Sequence, residues 1–257
     1  MRKQLLILCF LFLVTFTNLE CLSESKTRKP HIILVERNPW AMVIGSDSPT
    51  FALYDDGFTI FYDKKEGYKS VVLSKKEIKS FKVKKSFYKL KEYYEVIGAT
   101  DQPDNIICVW NKGQRKMVDV YGFIRPGERN KEFEEEIQHF RNNVPTEFLS
   151  LYDKIIKFNH IKSQKWLPER IEVMFWPYEH SPEEPYIWPE NWPNIETVGT
   201  KKRHKDSYSI YLNSSYYNDL LKILKERKRK QAILMNGRKW AISYRFPFPN
   251  EELWMTK

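Results

Sequence analysis

The sequence predicts an α+β fold in which antiparallel hairpins carry packed helices. Three observations predict it. Turn signals ending in glycine separate apolar runs at Asp56-Gly57, Lys112-Gly113 and Asn236-Gly237, and Asp-Gly and Asn-Gly supply the positive φ angles that a tight hairpin needs. Ser74, with Glu77 three residues on, has the spacing of a capping box at a helix start. Aromatic residues make up 15% of the chain, enough large side chains for an ordinary hydrophobic core.

In chain order, a short basic stretch over 26–29 leads into a strand over 31–36. Two aromatic-rich runs within 50–63 flank Asp55-Asp56-Gly57 and form the first hairpin. A strand over 68–73 precedes the helix capped by Ser74, whose buried face carries Ile78 and Phe81. Residues 87–97 fit helix and strand equally. After the turn residues 101–104, segments 105–111 and 116–124 pair across Lys112-Gly113. Two helices follow, one with Phe133, Ile137 and Phe140 inward, the other with Phe148, Tyr152, Ile155 and Ile156. Pro145 suits the first turn of the second. A strand over 170–176 opens the last third, and a Pro- and Trp-rich segment runs from 177 to 195. The chain continues with a strand over 207–212 and a helix over 214–230 that turns Leu220, Leu221 and Leu224 inward. It closes with the Asn236-Gly237 hairpin.

Strand, capped helix and hairpin occur in that order twice, over 68–124 and over 207–245. The strand ends Val118-Asp119-Val120-Tyr121 and Ala241-Ile242-Ser243-Tyr244 also rhyme. One domain over 26–257 is expected, with two pseudo-repeated lobes, 31–160 and 161–257, as the alternative.

Met1, Arg2 and Lys3 followed by the apolar run from Leu5 to Phe16 match the n-region and h-region of a secretory signal. Asn18 and Glu20 end that run well short of the roughly 20 apolar residues that span a bilayer. A signal peptide over 1–25 is expected, with cleavage after Thr17, Ser23 or Ser25, and the mature chain is placed in the periplasm, at the cell surface or outside the cell. Cys21 opens a second route, lipidation at a new N-terminus, but Glu20 stands where a small residue is usual. Cys9 and Cys21 leave Cys108 alone if both are removed, so no disulfide framework is expected. The net charge of +10 is spread along the chain. A basic exported chain can meet anionic lipids or cell-wall polymers, and export disfavours nucleic acid.

Leu53-Tyr54-Asp55-Asp56-Gly57, Thr100-Asp101-Gln102-Pro103, Val120-Tyr121-Gly122 and Tyr244-Arg245-Phe246-Pro247, taken as a set, resemble a group of uncharacterised bacterial exported proteins and lipoproteins. The resemblance implies export and bacterial origin and implies no activity, because each phrase consists of turn and strand residues.

No G-x-S-x-G elbow, H-E-x-x-H helix, P-loop or dinucleotide fingerprint occurs. His31, His139, His160, His180 and His204 lack metal-ligand spacing, so neither metal nor cofactor is expected. Cys108 lies in an apolar strand, the setting of a buried and inert thiol. Asp55-Asp56 and Asp101 are read as turn residues. Glu179, His180, Glu183 and Glu184 gather in the irregular segment, where a carboxylate beside a histidine can tune a proton-transfer group. The basic stretches 201–205 and 222–230 read as solvated faces. Asn213-Ser214-Ser215 fits both a glycosylation sequon and a helix cap, and the cap is preferred.

The most distinctive segment places Trp166, Trp176, Trp188 and Trp192 among Pro168, Pro177, Pro182, Pro185, Pro189 and Pro193. Proline restrains backbone cheaply and can hold indole faces ready for a ligand, although the same rings can equally pin the loop to the core. Trp188 and Trp192 each precede a proline directly, which favours extended backbone and exposed ring surface. Trp176 can supply the floor of the patch. The expectation is a non-enzymatic binding protein whose ligand-binding residues are Trp176, Trp188 and Trp192. Its partner is an envelope polysaccharide or a protein, and it meets the membrane only if Cys21 is lipidated. The alternative is a cell-envelope hydrolase using Glu183 or Glu184.

Overall fold

Apolar runs set the strands, and their alternation decides how many faces each strand buries. A computed structural model describes residues 28–41, 46–125 and 134–255; the signal-like stretch 1–25, Cys21 and Phe133 lie outside them. The fold is α+β. Among the described residues the strands form two sheets. The eight-stranded sheet takes β1 (Pro30–Arg37), β2 (Phe51–Tyr54), β3 (Phe58–Asp63), β4 (Gly67–Val72), β5 (Tyr93–Glu95), β6 (Asp104–Asn111), β7 (Gln114–Tyr121) and β8 (Gln164–Lys165), in the order β5-β7-β6-β1-β2-β3-β4-β8. The six-stranded sheet takes β9 (Arg170–Pro177), β10 (Tyr186–Ile187), β11 (Lys201–His204), β12 (Ser207–Asn213), β13 (Ile233–Met235) and β14 (Arg238–Arg245), in the order β10-β13-β14-β9-β12-β11. Only β5 on β7 and β10 on β13 pair in parallel among these strands.

The three hairpins turn where their glycines stand. Lys112 and Gly113 have φ of 49° and 82°, and Asn236 and Gly237 have 50° and 71°, the positive pair of a type I′ turn. Gly57 has φ of 86°, and a Cβ there would come within 2.4 Å of the Leu73 carbonyl oxygen. Asp56 accepts a hydrogen bond from the Phe58 amide at 2.9 Å and pairs with Arg28 at 2.9 Å, so this acidic pair serves the turn. Asp101 takes the left-handed conformation at φ 58°. Two of the familiar phrases meet around it: the Tyr121 hydroxyl accepts from the Gln102 amide and donates to the Ala99 carbonyl, at 3.1 and 2.8 Å.

Both faces of the eight-stranded sheet are covered, which is why β2 is buried along its whole length. On one face Ile32, Leu34, Phe51, Leu53 and Phe61 pack with Phe81 and Phe87 and with Phe148, Tyr152 and Ile155 of α3 (Thr146–Ile156). The adjoining helices are α1 (Lys75–Ser80) and α2 (Glu134–Asn142). Ser74 and Glu77 close the capping box on α1. On the other face Ile33, Ala52, Tyr54 and Cys108 join a core shared with Ile171, Val173 and Phe175 of β9 and with Leu220 and Ile223 of α4 (Tyr217–Glu226). The segment after β14 completes that core with Phe246, Phe248 and Trp254. It is tied down by Tyr54 donating to the Pro249 carbonyl at 3.0 Å and Arg115 donating to the Leu253 carbonyl at 3.1 Å.

Several local expectations need correction. The ambiguous stretch 87–97 contains a 3-10 turn, Phe87–Lys89, and the short strand β5. The helix expected over 214–230 is a 3-10 turn, Ser214–Tyr216, capped by Asn213, followed by α4 ending at Glu226. Ile223 takes the inward place expected of Leu221, whose side chain reaches solvent. The two strand–helix–hairpin stretches also sit differently. β1, β2 and β3 lie between β4 and the β6–β7 hairpin, whereas β9 alone lies between β12 and β14. That arrangement gives no support to a repeat.

Candidate functional site

The expected binding surface is not where the tryptophans are. Trp188 is 4% exposed and Trp192 7% exposed, and both belong to the shared core. The Trp188 amide donates to the Leu234 carbonyl at 3.0 Å, whereas the Trp192 amide turns back to the Pro189 carbonyl at 3.1 Å. β10 pairs with the short strand β13, and both indoles join the core that Leu220 and Ile223 of α4 also enter. Trp188 meets Phe175 edge-on at 5.1 Å and donates from its indole nitrogen to the Pro193 carbonyl at 2.9 Å. Trp192 packs on Trp188 at 5.1 Å and on Tyr216 at 5.2 Å. Trp176 is half-buried and follows Phe175 along β9, so strand alternation sends it to the opposite face of the sheet. It cannot be the floor of a patch containing Trp188. Trp166 packs on Phe248 at 4.9 Å.

The loop carboxylates are spread over the surface. Glu179 pairs with Arg238 at 3.2 Å and Glu183 with Lys228 at 2.9 Å. Glu184 and His180 face solvent. None of these four lines any of the concavities described below. Burial pushes the Cys108 thiol up to about 12, which keeps it protonated and unreactive. Among the described residues no group of His, Cys, Asp and Glu is placed to hold a metal ion, and no helix is long and apolar enough to cross a membrane.

Two features escaped the sequence. Asp104 and Asp119 lie on one face of the eight-stranded sheet, with Asp119 opposite Ile106 and Asp104 opposite Arg37. Burial, then the charge of Asp104, pushes the Asp119 carboxyl up to about 6. Such pairs mark acid–base sites when they open into a cavity, but neither aspartate lines one of the four concavities here.

The second feature is a basic cleft of about 790 Å³ at one end of the same sheet. His31 enters from the start of β1, Trp110 from the end of β6, and Arg115 and Lys116 from the start of β7. α1 and the chain after it bring Lys79, Lys82, Lys85 and Tyr88. The capping box aims this wall: Glu77 accepts from the Ser74 amide and hydroxyl at 2.7 and 2.6 Å, and His160 lies 3.1 Å from its other oxygen. Among the described residues no Asp or Glu lines the cleft. Lys79, Lys82, Lys85 and Lys116 make no ion pair among the described residues. Burial lowers the His31 imidazole below its ordinary value against the pull of Asp55, so the ring adds polar contact rather than charge near neutral pH. The cleft therefore offers several unpaired cations with aromatic surface beside them. The other basic stretches differ. β11 is an exposed edge strand, of which Arg203 turns back to Glu172 at 2.6 Å, and Lys222 faces Glu226 along α4.

No protein-family model matches the chain, and neither does any curated protein or any solved structure.

Proposed function

We propose that the chain is an exported binding protein that holds an anionic, phosphate-bearing polymer of the cell envelope in the basic cleft. One observation carries the reading: a concavity of ligand size whose charged lining is entirely cationic. Like charges brought together repel, so their concentration on one concave wall costs stability unless an anion relieves it. The lysines come from a helix and loop, and Arg115 from a hairpin, so the wall is held by the fold rather than by one flexible run. The signal-like N-terminus and the net charge of +10 agree with a partner in the envelope. The loop carboxylates, paired or solvated at separate points, lend a hydrolase no site.

Sodium polyphosphate, a phosphate chain without sugar rings, tests the reading by calorimetric titration. Wild-type protein should bind it with an affinity that falls steeply as salt rises. The combined substitution Lys79→Gln, Lys82→Gln, Lys85→Gln should weaken binding by about tenfold or more, because three charge contacts are lost. Lys201→Gln with Lys202→Gln, on the exposed edge strand, should leave it nearly unchanged. Equal losses in both variants would mean that overall charge alone attracts the polymer, and the cleft would lose its role.

A further inference from the structure

A different concavity lies where the two sheets meet, and tyrosines line it. It encloses about 380 Å³. Tyr62 and Tyr68 come from β3 and β4 of the eight-stranded sheet, while Tyr217 and Tyr244 come from α4 and β14 on the other side. Tyr62 is 48% exposed and meets Tyr68 edge-on at 5.1 Å. The hydroxyls of Tyr217 and Tyr244 lie 3.3 Å apart, and Ser48 is bonded to the Tyr68 hydroxyl. Burial raises the Tyr68 and Tyr244 phenols well above their ordinary value, so they remain neutral.

Among the described residues the crevice carries no free charge. Arg245 borders it, but its guanidinium is held between Glu172 at 2.6 Å and Glu251 at 2.5 Å. An anionic ligand would find no unpaired cation. A hydrocarbon chain would cover the phenol hydroxyls and leave their remaining hydrogen-bonding capacity unused. Aromatic faces beside neutral hydroxyls match a ligand with apolar C–H faces and a rim of hydroxyls. That ligand is a sugar ring.

Tyr62 and Tyr68 also line a second concavity of about 760 Å³, bounded beyond them by Phe61, Phe158 and Asn159 and by charged side chains of both signs, Glu36, Asp63, Lys64, Lys65, Arg125 and Lys157. A ligand seated among the tyrosines has room to continue past Tyr62. From this we infer that the junction of the two sheets binds a neutral linear oligosaccharide, with one ring among Tyr68, Tyr217 and Tyr244 and the next against Tyr62. This site shares no lining residue with the basic cleft, and the inference stands without it.

The test titrates wild-type protein with cellotetraose, maltotetraose and chitotetraose, and with the corresponding monosaccharides. At least one tetrasaccharide should bind, more tightly than its monosaccharide. Tyr62→Ala should weaken that binding by about tenfold, the scale of one lost ring contact, with the melting temperature kept. Tyr217→Phe removes only a hydroxyl and should weaken it by several-fold. The Lys79, Lys82, Lys85 variant should bind as wild type does. If none of the three tetrasaccharides binds, or if Tyr62→Ala binds the sugar unchanged, the inference is wrong.

Discussion

Asp119 carries a carboxyl that the fold holds against its ordinary chemistry. One of its oxygens is buried without a hydrogen-bond partner among the described residues, and Asp104 stands on the same sheet face. Burial and that neighbour together push the group up to about 6, while an aspartate in an unfolded chain titrates near 3.9. Between those values the native state keeps a proton that the unfolded chain has lost. Stability from this group is therefore greatest below about pH 4 and is lost as pH rises through about 6. Asp119 is partly open to solvent, so screening reduces the effect to about 1–2 kcal/mol. Asp119→Asn should raise the unfolding free energy by that amount at pH 7.5 and change it little at pH 4, as urea titrations will measure. An equal change at both values would mean that the carboxyl is not strained by its setting. Single residues of this kind are hard to see in a sequence. The Asp55-Asp56 pair is legible as a turn because Gly57 follows directly, whereas Asp104 and Asp119 become neighbours only when β6 pairs with β7.

Elements follow the same rule at longer range. The three glycine turns and the Ser74–Glu77 box form as the sequence leads one to expect, because each is decided within four residues. Residues 87–97 resisted reading because β5 exists only by pairing with β7, a partner beyond the local pattern. The Trp-rich segment misleads for a related reason. Proline governs its backbone locally, and the amide of Trp188 does extend to the Leu234 carbonyl at 3.0 Å. Where the indole points depends on Phe175 of β9 and on Trp192, which itself packs on Tyr216, and the local pattern shows none of these contacts. The cations of the basic cleft were scattered too: Lys79, Lys82, Lys85, Arg115 and Lys116 look like ordinary surface charge until α1 is set beside the β6–β7 turn. For the tryptophan segment the structure sets a sharp contrast. Trp188→Ala should cost about 3–5 kcal/mol, the range for deleting a buried large aromatic side chain. Ile187→Ala, one residue earlier and 66% exposed, should stay within about 0.5 kcal/mol of wild type. Denaturant titration of both variants separates a core anchor from a surface ring. A Trp188 loss as small as that of Ile187 would return the indole to the surface.

At the scale of the whole molecule, the question is what makes two sheets unfold together. The eight-stranded sheet takes its strands from the first two thirds of the chain and the other sheet from the remainder, so neither is threaded through the other. The segment after β14 joins them. Phe246 and Phe248 pack against Tyr68 and Trp166, and Asn250 donates to the Arg28 carbonyl at 2.6 Å. Ser48 both accepts from the Phe246 amide at 3.0 Å and donates to its carbonyl at 3.3 Å. Arg245 begins the segment in a buried ion pair with Glu172, its partner across β9 and β14. Residues 245–254 thus clamp one sheet to the core of the other. Native-state hydrogen exchange reads this coupling directly, since strands that open only in global unfolding share one exchange free energy. Central amides of β6 and β9 should share it in the wild-type protein. Phe248→Ala removes a buried ring from the clamp and alters no residue of either sheet's strands, at a cost of about 3–5 kcal/mol. Its effect should fall unequally: the amides of β6 and β9 should separate in free energy, as each sheet becomes able to open without the other. Equal losses in both strands would show that the shared core couples the sheets through contacts other than this segment.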